Sequence, residues 1–124
     1  MNNSEYKKEI INRTYKFSLS VVLFVRDISE RDLSFQIIAR QLIRSATSIG
    51  ANIVEAQASP SRKDFSKFIS YSLKSSNESR YWLALLRDTS IDKTKQDETT
   101  ALLKECQEIA KILGSTILKL KGKK

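Results

Sequence analysis

The sequence predicts an all-α fold, an antiparallel up-down-up-down four-helix bundle, and three observations carry that reading. First, Phe35, Ile38, Leu42, Ser45, Ile49, Asn52 and Ala56 recur at alternating steps of three and four, the spacing of one helix face. Second, the 124 residues hold only three glycines and one proline, too few turn residues for a sheet fold. Third, short polar breaks near residues 27–32, 59–61 and 88–94 divide the chain into four segments of similar length. At roughly 25 residues and about 1.5 Å per residue, each would be about 35–40 Å long. Such short turns make sequential helices antiparallel neighbours. The bundle domain is expected over residues 1–118, with 119–124 as a basic C-terminal tail.

Helix one is expected over residues 3–28. Tyr6, Ile10, Phe17, Val21, Phe24 and Ile28 form one stripe, and Ile11, Ser18, Val22 and Val25 lie beside it. The combined arc is wider than one partner helix needs, so it reads as a subunit interface or as a deeply buried helix. Asp32 or Ser34 is the expected N-cap of helix two. Small residues (Ser45, Ala46, Ser48, Gly50, Ala51) crowd its middle and let a neighbouring helix come close.

Pro60 suits the first position of a new helix and disfavours helical geometry before it. Ser59 is then the N-cap, with Ser61 and Asp64 as a rival capping box. Helix three turns Phe65, Phe68, Ile69, Ser72, Ser76, Ser79, Leu83 and Leu86 inward. In a hairpin about Pro60, residue numbers facing each other add to roughly 120. Ser45 and Ser48 then fall near Ser75 and Ser72, in a close-packed waist whose hydrogen-bonded layer includes Asn52 and Glu78. Helix four is expected from about Lys95, with Leu102, Leu103, Cys106, Ile109, Ala110, Leu113, Ile117 and Leu120 inward and Gly114 inside the pattern.

The chain has no histidine, hence neither the commonest general base near neutral pH nor the commonest metal ligand. Its one cysteine, Cys106, lies on a core stripe and reads as a buried inert thiol. No phosphate loop, paired-cysteine motif or nucleophile elbow occurs. Glu55 and Glu78 lack the Glu-x-x-His pairs of a dimetal bundle and are expected to pair with Arg44 or Arg80, or to cap polar groups. The expectation is a protein with no catalytic residues, no metal and no cofactor. No apolar run is long enough to span a membrane and no secretory signal is visible, which points to the cytoplasm.

A net charge of +8 and a pI near 9.7 favour an anionic partner, RNA or DNA backbone. Lys63, Lys67, Tyr71 and Lys74 fall along one side of helix three, preceded by Arg62, while Arg80 and Arg87 form a second row. Cations interleaved with a tyrosine suit phosphate contact and base stacking; an ordinary solvated face has the same look. Lys119 and Lys121, with Lys123 and Lys124, extend the positive charge to the C-terminus.

The run Ser48-Ile-Gly-Ala-Asn-Ile-Val-Glu-Ala56, then Asp64-Phe65, then Glu78-Ser-Arg-Tyr-Trp-Leu83 with Leu86 resembles the four-helix-bundle protein family. That family includes proteins encoded in intervening sequences of bacterial large-subunit ribosomal RNA genes. The chain is also similar to the accessory variability determinant of diversity-generating retroelements. The resemblance covers residues 35–88 closely. It implies a homopentamer with a basic surface that binds nucleic acid, and in the retroelement branch a reverse transcriptase partner. Ser48, Asn52, Glu55, Glu78 and Trp82 carry the signature, with a structural role. Where relatives often have an acid before the last block, this chain reads Leu73-Lys-Ser-Ser-Asn77, which leaves a paired-carboxylate site incomplete. The expected function is therefore a non-enzymatic, oligomeric, RNA-directed bundle. The alternative is a protein-interaction scaffold such as a reverse transcriptase accessory subunit.

Overall fold

The computed structural model describes residues 3–28 and 32–122, and the structural statements below concern these residues. Four helices follow in order: α1 (Asn3–Arg26), α2 (Leu33–Gln57), α3 (Arg62–Thr89) and α4 (Lys93–Leu120). There is no strand among the described residues. Each helix packs on its neighbours in the chain, and α4 closes the ring on α1. The diagonal pairs come no closer than 8 Å between Cα atoms. This is the antiparallel bundle that the periodicity predicts. No helix is long and apolar enough to cross a membrane.

The caps explain where the helices begin. Asp32 accepts from the Phe35 amide at 3.0 Å, so of the two candidates for α2 it is the cap; Ser34 instead donates its hydroxyl to the Asp32 carboxylate. These two bonds, the Ser34 hydroxyl first, hold the Asp32 carboxyl below its ordinary pKa. At α3 the cap is Ser61 rather than Ser59: its hydroxyl oxygen accepts from the Asp64 amide at 3.1 Å, and Pro60 stays in the turn outside the helix. Asp92 caps α4, which starts at Lys93 rather than Lys95. α4 continues to Leu120, past the expected domain boundary at 118, and stops where Gly122 turns left-handed with φ of 68°. Residues 29–31 of the first turn, and Lys123 and Lys124 of the tail, lie outside the described residues.

The serine waist forms, with a shifted register. Ser45 and Ser79 share a hydrogen bond, Arg44 pairs with Glu78, and the Ser72 hydroxyl donates to the Ile49 carbonyl, so facing numbers add to 124, 122 and 121. A helical side chain leans toward its own N-terminus and covers a spot roughly one residue back. In an antiparallel pair both leans count, which raises a backbone-based sum of about 120 by about two. The layer's membership also differs from expectation. Ser45, Ser72, Ser76 and Ser79 are fully buried and hydrogen-bonded. Asn52 bonds the Ser48 carbonyl of its own helix, and Glu78 sits at the rim.

The small middle of α2 serves a second neighbour as well. Ser18 of α1 donates to the Ala46 carbonyl at 3.3 Å, and a Cβ at Gly50 would stand 3.5 Å from the Thr14 backbone. Leu42, Ile49, Ile53, Leu83, Ile109 and Leu113 fill the shared core. The inner stripe of α1 (Ile10, Phe17, Val21, Phe24) joins that core. The flank divides: Ile11 and Val25 pack against the core and Ser18 reaches α2, whereas Val22 lies open to solvent beside Leu19 and Tyr15, which is 64% exposed.

Candidate nucleic-acid interface

Antiparallel packing decides which cations become neighbours. The N-terminus of α1, the α2–α3 turn and the C-terminus of α4 meet at one end of the bundle. There Arg62 donates from Nη2 to the Leu120 carbonyl at 3.0 Å, which fixes its guanidinium over the last turn of α4. Arg62, Lys119 and Lys7 surround a cavity of about 400 Å³ whose other walls are Tyr6, Phe65, Thr116 and Leu120. No acid lines it. Lys63 and Lys121, both exposed, flank the same end. None of these five cations has an acid within ion-pair distance among the described residues.

The opposite end has the other sign. It carries the capping aspartates Asp32 and Asp92 together with Asp27, Asp88, Asp97 and Glu98, some of them paired with Arg26, Arg87 and Lys93. Capping carboxylates at N-termini are favoured by the unsatisfied amides there. One end of the molecule thus gathers cations unpaired among the described residues, while at the other Arg26, Arg87 and Lys93 are held in local ion pairs.

The expected rows on α3 divide. Lys63, Lys67, Tyr71 and Lys74 share the exposed face and run up from the basic end. Within that row Lys67 reaches Asp64 at 3.7 Å and stands 5.1 Å over the Phe68 ring, which in turn meets Tyr71 edge-on. Lys74 makes no ion pair among the described residues. The second row faces elsewhere: Arg80 lies in the α3–α4 groove beside Asn77, Gln107 and Lys111. Arg87 is bound to its neighbour Asp88 at 2.8 Å, which neutralises it. Arg80 and Arg87 are therefore not brought onto the face of Lys63 and Lys74. Lys7, which belongs to neither row on α3, joins the cationic end because α1 begins where α4 stops.

The five signature residues lie on the α2–α3 pair. Ser48 and Asn52 bond backbone carbonyls one turn earlier in α2, at 2.8 Å each. The Glu78 carboxylate joins two elements, taking the Arg44 guanidinium from α2 and the Trp82 indole N–H at 2.9 Å. Of the two expected arginine partners, Arg44 is the one used. Glu55 is exposed and makes no ion pair among the described residues.

Cys106 is fully buried and its thiol donates to the Ser76 carbonyl at 3.3 Å. Burial pushes its pKa up to about 12, so the nucleophilic thiolate is suppressed. The chain has no histidine that could take its proton.

Fold and charge define a small basic helical bundle polarised from end to end. The chain belongs to the 23S rRNA-intervening sequence protein family, whose profile matches residues 6–115. A solved structure from Bacteroides thetaiotaomicron VPI-5482, a protein of unknown function from the S23 ribosomal protein family, is 32% identical. Its likeness covers 87% of this chain and 97% of that one, with a TM-score of 0.75. Comparison with curated proteins finds no match.

Proposed function

We propose that the protein is a non-enzymatic RNA-binding bundle that works as a homo-oligomer. The observation that carries this reading is the gathering of Lys7, Arg62, Lys63, Lys119 and Lys121 at one end without acid partners among the described residues. Cations already neutralised by carboxylates release no counterions on meeting a phosphate backbone, whereas these do. The exposed row Lys67, Tyr71 and Lys74 extends the surface along α3 and offers a ring for base stacking. The choice of RNA over DNA leans on the family's name, which refers to an intervening sequence of 23S rRNA.

Self-association is proposed through the outward face of α1 and α2. Tyr15, Leu19, Val22 and Val54 are exposed there, around a cleft also lined by Ile11, Thr47 and Gly50. A second copy covering this face would remove contiguous apolar surface from water. Five copies, the number the family resemblance implies, would add their positive fields and strengthen binding by multivalency.

Photocrosslinking of 4-thiouridine-substituted RNA, read out by mass spectrometry, tests the RNA reading. Crosslinks to Tyr6, Phe65 or Tyr71 are expected. Crosslinks confined to the end bearing Asp32 and Asp92, or none at all, would count against it.

A further inference from the structure

The cavity at the basic end has a composition that a flat phosphate-binding surface does not need. Three cations (Lys7, Arg62, Lys119) line it together with the largely apolar Tyr6, Phe65 and Leu120. The walls are held in place: the Tyr6 hydroxyl bonds the Thr116 hydroxyl, and Arg62 is tied to the Leu120 carbonyl. The Lys7 ammonium stands 5.7 Å over the Phe65 ring, so charge and aromatic surface already meet at the mouth. At about 400 Å³ the space lies within the range of pockets that enclose a small organic ligand, about 300–1,000 Å³.

We propose that this cavity holds a nucleoside 5′-phosphate, and that in the bound RNA it receives the 5′-terminal nucleotide. An inorganic anion alone would leave the rings of Tyr6 and Phe65 wet. A planar base carrying a phosphate covers the rings and meets the cations at once. A terminal phosphate also carries a charge of about −1.5 to −2 near neutral pH, against one negative charge for an internal phosphodiester. A mouth with three cations and no acid rewards that difference. The assignment of the RNA end rests on the RNA reading above; the mononucleotide site does not.

The test compares one short RNA bearing either a 5′-monophosphate or a 5′-hydroxyl, with adenosine 5′-monophosphate as a separate probe, on the full chain. Tighter binding of the phosphorylated RNA by about tenfold is expected. In Lys7→Glu/Lys119→Glu that ratio should fall to about one, whereas Lys74→Glu should weaken both RNAs and keep the ratio. Both altered lysines are exposed, and circular dichroism is the check that the variants remain helical. Equal affinity of the two RNAs in the wild type overturns the end-binding proposal while leaving the RNA reading standing. If neither RNA binds, the RNA reading falls, and calorimetry with adenosine 5′-monophosphate decides the cavity. Binding lost in the double variant supports the site, and no binding overturns it.

Discussion

Ser45 of α2 and Ser79 of α3 share a 2.8 Å hydrogen bond at the middle of the bundle, with both side chains closed off from water. Ser79 also donates to the Ser75 carbonyl at 2.9 Å, so the relay runs from Ser45 through Ser79 to the α3 backbone. The Leu42 carbonyl, at 3.3 Å from Ser45, is the weaker alternative. Ser79→Ala leaves the Ser45 hydroxyl only the longer bond to the Leu42 carbonyl and should cost about 1 kcal/mol. Removing both hydroxyls together should cost less than the two single changes added. Urea unfolding of the two single variants and the double one measures this; strict additivity would show that the bond contributes nothing.

Gly114 lies inside α4, and a Cβ there meets nothing within 4 Å. Gly114→Ala should therefore stabilise the protein by about 1 kcal/mol, through helix propensity alone. A lowered melting temperature would mean that the position is crowded, in conflict with this packing.

The buried thiol makes a prediction about pH. Its pKa is raised from an ordinary 9.0 to about 12 in the folded chain. A group raised in this way favours the folded state fully below the unfolded pKa. The contribution fades as pH climbs from 9.0 toward about 12. Cys106→Ala should accordingly flatten the fall in stability over that interval. A thiol reagent at pH 8 should react with the native protein only as fast as it unfolds, and rapid labelling would contradict the burial of Cys106.

For the proposed assembly, Leu19→Glu and Val54→Glu place charges in the exposed apolar face of α1 and α2. Neither side chain is in the core, so the monomer should keep its helical content. Light scattering on a sizing column should show the wild type as a multiple of 14.2 kDa and each variant shifted toward the monomer. A wild type that elutes as a monomer, or variants of unchanged mass, would remove the proposed interface.

The fold was legible because its signals are local. Apolar stripes at helical spacing act within a few residues, and so do the caps, of which Asp32 and Ser61 are each one of two candidates in the sequence and Asp92 is not among those expected. What escaped depends on packing between distant segments. The lean of side chains shifted the waist, pairing Ser45 with Ser79 instead of Ser75. Nothing near Arg62 in the sequence points to Lys7, which lies 55 positions before it and shares its cavity only because α1 and α3 start at the end of the bundle where α4 stops. Arg80 and Arg87 look like a row in the sequence, but one faces a groove and the other is held by Asp88. Spacing reports the face of a helix, whereas the usefulness of a charge depends on what stands opposite it.

Salt titration of RNA binding bears most directly on the idea that one cationic end makes the contact. Affinity should fall linearly on logarithmic axes as salt rises, with a slope set by the number of phosphates neutralised. Lys63→Glu/Lys121→Glu should weaken binding and reduce the slope by about two, at roughly one per phosphate contact removed. Lys93→Glu/Lys95→Glu, at the opposite end, should leave the slope as it is in the wild type. Equal losses from both pairs, or affinity indifferent to salt, would contradict the account.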